Sequence, residues 1–114
     1  MADVVNSKVK VEVENLFMMI YPALANFPKS EKHGMSLKIK NTFIDLIFSL
    51  VEAENRPRAR RDFLMRADSL NKSLKIIFRL SNKFKYIGNS FYEKIDLKLS
   101  EIGKQIGGWM KSTK

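Results

Sequence analysis

The chain of 114 residues carries a formal net charge of +9, and 45% of its residues are hydrophobic, which together indicate one folded, strongly basic domain over residues 1–114. Because the sequence has no cysteine and no apolar run of about 18 residues, disulfides, thiolate metal sites and a transmembrane helix are excluded. The N-terminus lacks the basic and apolar regions of a signal peptide, so we expect a cytoplasmic location.

Two prolines and a glycine divide the chain into four segments with helical periodicity. Pro28 and Pro57 cannot continue a helix interior, although Pro57 suits a first turn. Gly88 can adopt the left-handed conformation that ends a helix. The predicted helices cover residues 5–25, 30–54, 58–86 and 90–110. Four helices with short connections predict an all-α fold, an antiparallel up-down-up-down four-helix bundle.

The first two helices rest on different patterns. Val9, Val11 and Val13 alternate as they would in a strand, but helical spacing returns from Leu16 to Leu24, so one helix is predicted. In the second helix, apolar residues recur at intervals of three and four, which predicts that they face the core. They are Ile39, Phe43, Leu46, Ile47, Leu50 and Val51.

The third and fourth helices carry apolar stripes of the same kind. In the third helix the stripe consists of Phe63, Ala67, Leu70, Leu74, Ile77 and Phe84. In the fourth it consists of Ile95, Leu99, Ile102, Ile106 and Trp109. Ser90 and Glu93 have the spacing of a capping box, which predicts the start of the fourth helix. Gly103 and Gly107, one turn apart, either let another helix approach closely or, with Gly108, loosen the last turn.

Some large apolar side chains fall outside these stripes and are expected at the surface: Phe48, Met65, Ile76 and Leu97. Single exposed apolar residues are normal in soluble proteins. Several of them on different helices favour self-association.

Positive charge is concentrated in one segment, Arg56–Lys85, where ten cations and two acids sum to +8. The third helix places five of these cations within a sector of roughly 80°, nearly opposite its predicted apolar stripe: Arg61, Lys72, Lys75, Arg79 and Lys83. Neighbouring like charges repel one another, and a nucleic-acid backbone would relieve that repulsion. The segment therefore predicts a polyanionic partner.

A second cluster, Arg58, Arg60 and Arg61, lies near the start of the same helix. Cations at that position oppose the helix dipole, which points to a role other than stability. Two alternatives stay open for all these residues: a solvated basic face, or a contact with an acidic protein. A membrane surface is disfavoured because the face opposite the cations is committed to the core.

The sequence offers no constellation for catalysis, a metal or a cofactor. His33 is the only histidine, no paired carboxylates have ligand spacing, and no glycine-rich loop follows a strand. Most aromatic residues lie on the predicted core stripes, so a platform for stacking bases is unsupported. We therefore expect a binding protein that is not an enzyme.

Three motifs resemble those of a known family. They read Asn-Phe-Pro-Lys-Ser-Glu-Lys at residues 26–32, Leu-Lys-Ile-Ile-Phe-Arg-Leu at 74–80, and Glu-Ile-Gly-Lys-Gln-Ile-Gly-Gly-Trp-Met at 101–110. In this order they resemble the accessory variability determinant proteins of diversity-generating retroelements. Those proteins are similar to small four-helix proteins encoded in bacterial ribosomal-RNA intervening sequences. The resemblance covers residues 21–110.

The resemblance implies a four-helix bundle that assembles into a homopentamer. It also implies a protein that binds nucleic acid and a reverse transcriptase and supports mutagenic synthesis of complementary DNA, with no catalysis of its own. Lys75 and Arg79 correspond to the basic third-helix surface of the family, and Lys72 and Lys83 extend that surface by spacing alone. The alternatives are a protein–protein adaptor and an intervening-sequence protein of unknown function.

Overall fold

The computed structural model describes residues 2–113, which form four α-helices with no strand among them. The helices are α1 (Ala2–Ile20), α2 (Met35–Asn55), α3 (Arg60–Lys83) and α4 (Asn89–Lys111). Short 3-10 segments at Tyr21–Asn26, Lys29–Glu31 and Pro57–Ala59 lie in the connections. Within residues 2–113, no helix is long and apolar enough to cross a membrane. The predicted all-α fold with four helices is confirmed.

The core is closed by contacts around all four helices. α2 packs against α1 and α3, α3 against α4, and α4 against α1. The Phe43 ring stacks on Phe17 of α1 at 4.9 Å and lies 6.3 Å from Phe78 of α3, so one aromatic side chain joins three helices. Val9 and Val13 are buried while Val11 is exposed, because residues four apart share a helix face.

The first predicted helix divides after Ile20. Pro22 has no amide hydrogen to donate, and it lies at the start of the 3-10 segment Tyr21–Asn26. Leu24 stays buried in the core from this tighter segment. Pro28 then adopts an extended conformation, so the chain turns before α2.

The core face of α3 differs from the predicted stripe. The fully buried positions are Leu64, Ala67, Asn71, Leu74, Phe78 and Ser81, whereas Phe84 is exposed. Ala67 and Leu74 are buried as predicted, and Phe63, Leu70 and Ile77 pack against the core while only partly buried. The prediction was wrong at Phe84, and the centre of the buried face is rotated by roughly 60° about the helix axis from the predicted one. Asn71 and Ser81 are polar, and a hydrophobic pattern does not place them inside. Both satisfy donors there: Asn71 Nδ2 donates to Leu99 O at 2.9 Å, and Ser81 Oγ donates to Ile77 O at 2.9 Å.

Gly103 makes the Asn71 contact possible. A Cβ at Gly103 would lie 3.1 Å from Asn71 Nδ2, whereas one at Gly107 would meet nothing within 4 Å. The close-approach prediction thus holds at Gly103 and not at Gly107. α4 continues past both glycines to Lys111.

The turn between α3 and α4 is built differently from the prediction. Lys85 is the residue with positive φ, at 65°, and the Tyr86 amide donates to Ser81 O at 2.9 Å, as in a Schellman motif. Gly88 has φ −76° and precedes α4 as its cap, with no side-chain capping bond there. The predicted left-handed Gly88 and the predicted capping box were wrong. Asn82 stabilises the turn instead, since its Nδ2 donates to Asn89 Oδ1 at 2.9 Å.

The N-terminus of α2 is capped by a carboxylate from the preceding connection. Glu31 Oε1 accepts from the Met35 amide at 3.0 Å, and Oε2 accepts from the Tyr86 hydroxyl at 2.9 Å. These bonds, the Met35 amide first and then Tyr86, lower the pKa of Glu31. The hydrogen bond between Glu31 and the Tyr86 hydroxyl raises the pKa of Tyr86. Glu31 therefore ties the connection to α2 and to the end of α3.

We expect Glu31→Gln to lower the melting temperature at about pH 7 and to do so less in acid. A carboxyl whose pKa is lowered by folding contributes stability above its ordinary pKa of 4.5, and that contribution disappears as pH falls through the lowered value. Thermal unfolding followed by circular dichroism from about pH 7 to pH 3 measures the difference. The matched control is Glu93→Gln, at an exposed position of α4. A difference between Glu31→Gln and wild type that stays constant with pH would contradict the prediction.

The predicted surface positions Phe48, Met65, Ile76 and Leu97 are all exposed, which confirms that part of the pattern. On α2, Leu37 and Ile44 are exposed as well, so spacings of seven and four residues join them to Phe48 along one outer face. Leu37, Ile44 and Phe48 are 40%, 38% and 62% exposed, and we call them the α2 apolar stripe. A row of large apolar side chains at this spacing is typical of a helix face that packs against another helix.

Candidate nucleic-acid interface

Part of the basic sector of α3 borders α4 rather than facing away from the core. Because the buried face is rotated from its predicted position, the basic sector lies at the edge of the α3–α4 contact. Lys75 shows this directly: its Nζ donates to Ser100 Oγ at 2.6 Å and lies 3.6 Å from Asp96 Oδ1. Both partners belong to α4. Lys75 therefore joins the two helices and is only half-exposed.

Lys75 and Arg79 lie one turn apart on α3 but differ in their contacts, because only Lys75 has partners on α4 among the described residues. Lys75→Glu places a carboxylate beside Asp96, so we expect a loss of about 1 kcal/mol of unfolding free energy. Arg79→Glu, on the exposed side of α3, should change stability by less than about 0.5 kcal/mol. Urea unfolding of the two single variants makes the comparison. Equal losses in both would show that the Lys75 contact contributes nothing.

Lys72 pairs with an acid of its own helix. Its Nζ lies 2.9 Å from Asp68 Oδ2, one turn earlier, and its side chain is 72% exposed. An exposed pair of this kind contributes at most about 1 kcal/mol. A phosphate can therefore replace Asp68 at Lys72 at little cost.

Arg79 and Lys83 are the least committed cations of α3. Both are exposed, and neither forms a salt bridge or a side-chain hydrogen bond with the side chains described for residues 8–113. They lie one turn apart on the same face. Their charges are thus fully presented to solvent.

Two of the three arginines in the second cluster hold helix ends together. Arg60 Nε donates to Ala53 O at 2.6 Å and its NH2 group to Glu54 O at 3.1 Å, both in the last turn of α2. Arg61 donates to Met110 O at 3.2 Å, near the end of α4. A cation is favourable at a helix C-terminus, where carbonyl groups lack partners.

This arrangement explains the arginines that seemed unfavourable at the start of α3. The guanidinium groups of Arg60 and Arg61 donate hydrogen bonds to carbonyl groups near the C-termini of α2 and α4. Arg60 also lies 6.0 Å from the Trp109 ring centroid. Arg58 lies in the 3-10 segment before α3, exposed and without an ion pair among the described residues. In this cluster, Arg58 is the residue that is exposed and without an ion pair among the described residues, as Arg79 and Lys83 are.

A shallow groove of about 320 Å³ runs between α3 and α4. Lys72 and Lys75 line it from α3, and Lys104 lines it from α4. The sequence analysis did not single out Lys104, because it lies outside the basic segment. The signal that could have found it is its position four residues after Ser100, which places both on the α3 side of α4.

Chemically, this surface can bind anions. Lysine and arginine side chains donate hydrogen bonds to phosphate oxygens without reading base sequence. The cations of this surface are of three kinds. Arg58, Arg79 and Lys83 have no ion pair among the described residues, and Lys72 has one exposed pair that a phosphate can replace. Arg60, Arg61 and Lys75 hold other helices through hydrogen bonds.

The comparisons with known proteins agree with the motif resemblance. A family model described as bAvd-like matches residues 4–113, so the chain belongs to this family. The predicted relationship to the accessory variability determinant proteins is thereby confirmed, and it extends through α1. A search of curated proteins and a search of solved structures each found no match.

Proposed function

We propose that this protein is a non-enzymatic accessory subunit that binds nucleic acid through the phosphate backbone. The observation that carries the proposal is the exposed, unpaired pair Arg79 and Lys83 within a segment of net charge +8. Lys72, Arg58 and the lysines of the α3–α4 groove extend the contact. Arg60, Arg61 and Lys75 add to the local field while their donors hold the helices together. Binding of this kind is weakly specific for sequence.

Membership in the bAvd-like family supports a finer proposal. The nucleic acid would be RNA or complementary DNA of a diversity-generating retroelement, and the protein partner would be its reverse transcriptase. The chain would then support mutagenic synthesis of complementary DNA without catalysing it. No cofactor is required for such a role.

The assembly we propose is a homopentamer of antiparallel up-down-up-down bundles. Contacts between distant residues support the helix order, since Lys10 in the middle of α1 pairs with Glu54 at the end of α2. Arg61 near the start of α3 likewise reaches Met110 at the end of α4. The α2 apolar stripe supports self-association. A ring of five copies would repeat the basic surface of α3 five times around one axis.

A salt titration of binding tests the nucleic-acid proposal. Fluorescence anisotropy with labelled single-stranded RNA, single-stranded DNA and duplex DNA should give affinities that fall steeply between about 50 and 200 mM salt. The logarithm of affinity should decline linearly with the logarithm of salt concentration, because bound counterions are released. An affinity that does not change over this range would exclude backbone binding.

The reverse-transcriptase contact needs a separate experiment. The tagged protein is used to capture the enzyme from cells that carry both, with and without nuclease treatment. A direct protein contact survives the nuclease, whereas co-capture through shared nucleic acid does not. Loss of the enzyme after treatment would remove this part of the proposal.

A further inference from the structure

A concave pocket of about 420 Å³ lies where the connection after α1 meets the first turns of α2. Its floor is apolar and is formed by Leu24, Ala25, Phe27 and Pro28. Its rim carries three ammonium groups, from Lys29, Lys32 and Lys40, and no carboxylate from the side chains described for residues 8–113 lines it. A volume of this size is typical of sites that accept a small ligand or one large side chain. We call it the lysine-rimmed pocket.

The fold keeps the local acid out of this pocket. Residues 26–40 contain four lysines and one glutamate, a net charge of +3. That glutamate, Glu31, has both carboxylate oxygens engaged, one by the Met35 amide and the other by the Tyr86 hydroxyl. Glu31 therefore caps the start of α2, and it does not pair with the lysines of the rim.

Two aromatic rings line the pocket, and they differ in exposure: Phe27 is buried, whereas Tyr21 is 51% exposed. Phe27 is buried, and its ring centroid lies 5.3 Å from that of Tyr86. Tyr21 packs edge-on against Phe17 at 5.6 Å, and Lys40 Nζ lies 4.9 Å from the Tyr21 centroid. Only Tyr21 therefore presents a partly exposed ring, and an ammonium group already lies over it. The aliphatic floor favours an apolar side chain.

We propose that the lysine-rimmed pocket binds an acidic peptide segment of a partner protein. One large apolar side chain of that segment would occupy the floor, and carboxylates on either side of it would pair with Lys29, Lys32 and Lys40. An apolar anchor surrounded by charge pairs is a common design for protein recognition, in which the anchor supplies most of the affinity. The charges increase the association rate and select against basic partners. The site is distinct from the α3 surface, and the inference does not depend on nucleic-acid binding.

Titration of the full-length, isotopically labelled protein with synthetic peptides tests this, with amide chemical shifts as the readout. The probes are acetyl-Asp-Glu-Leu-Asp-Glu-amide and the same peptide with serine in place of leucine. The leucine peptide should shift amides in the segments that line the pocket. It should bind at least about fivefold more tightly than the serine peptide, because the floor covers the leucine side chain.

Two variants locate the contact. Lys29→Glu with Lys32→Glu should abolish binding of the leucine peptide, because both positions are exposed and their reversal repels its carboxylates. Ala25→Phe keeps every charge but fills the floor, so it should remove the preference for leucine over serine. The matched control, Lys8→Glu with Lys94→Glu, changes the net charge equally at exposed positions elsewhere and should bind as wild type does.

Three outcomes would overturn the proposal. The first is equal affinity for the leucine and serine peptides, which would mean charge attraction alone. The second is binding of a short oligothymidylate to the same amides as tightly as the leucine peptide, which would make the ligand a nucleotide. The third is the absence of shifts in the pocket. Reversal of Arg79 and Lys83 should leave peptide binding unchanged, so failure here is separate from failure of the proposed nucleic-acid function.

Discussion

Replacing both Arg79 and Lys83 with glutamate is expected to lower the affinity for nucleic acid by about 10- to 100-fold at moderate salt. Each lost phosphate contact should also reduce the slope of the salt dependence by about one, so the double variant should lose about two. Both side chains are exposed and without ion pairs among the side chains of residues 8–113, so the change reverses charge without breaking a contact described for the fold. Anisotropy titrations at several salt concentrations give both quantities.

The control for this experiment is a pair of reversals with the same total charge. Lys8 on α1 and Lys94 on α4 are exposed and lie outside the basic segment. Their replacement by glutamate should lower affinity much less than reversal of Arg79 and Lys83. Equal losses in the two double variants would mean that net charge alone drives binding, and the α3 surface would then lose its special role. Circular dichroism of each variant confirms that the helices remain.

Introducing aspartate at Ile44 and Phe48 is expected to dissociate the proposed homopentamer into single chains of 13.2 kDa. Both side chains belong to the α2 apolar stripe, and burying a carboxylate in an apolar interface without a partner is very costly. The fold of the bundle should survive, because neither side chain belongs to its core. Light scattering coupled to size-exclusion chromatography measures the mass. Wild type should elute with five times the mass of the chain.

A variant with the same added charge away from the stripe serves as the control. Ser69 and Ser73 are exposed on α3, and their replacement by aspartate should leave the assembled mass unchanged. If the Ile44 and Phe48 variant keeps the wild-type mass, the α2 apolar stripe is not an interface. Dissociation should also weaken nucleic-acid binding, because linked copies of one surface bind a long polyanion with greater avidity than single copies.

The two expectations are connected through symmetry. A single basic surface on α3 presents few phosphate contacts, whereas a ring presents the same surface once per copy. The dissociated variant should therefore show both a lower affinity and a shallower salt dependence than wild type. The Arg79 and Lys83 variant should show the same binding defect with an unchanged mass. The measured mass therefore distinguishes a variant that lacks the basic surface from one that no longer assembles several copies of it.

The core of α4 illustrates what the sequence could predict. Its stripe from Ile95 to Trp109 is buried as expected, because each member recurs at helical spacing and each is apolar. α3 illustrates the limit, because the polar residues Asn71 and Ser81 are buried in its core face, whereas the expected Leu70 and Ile77 are only partly buried. Their burial depends on acceptors, Leu99 O for Asn71 and Ile77 O for Ser81, that hydrophobic periodicity does not describe.

The candidate site shows the same division. Composition was enough to locate an excess of cations between Arg56 and Lys85, and helical phase was enough to align Lys72, Arg79 and Lys83. Neither could indicate that Arg60 reaches back to Ala53 or that Arg61 reaches Met110. The lysine-rimmed pocket was also invisible, because its floor and rim come from two separate elements of the chain.

By itself, the sequence determined the number of helices, the family and the concentration of positive charge, since helix periodicity, motifs and charge are properties of local stretches. Only the tertiary structure decided which cations are free. The partner of Lys75 lies 25 residues away and that of Arg61 lies 49 residues away, so their engagement exists only after the helices pack. Packing likewise turned Glu31 toward α2 and left the lysines of the pocket without an acid. Which charges remain for a partner depends on which carbonyls and carboxylates the fold brings within reach.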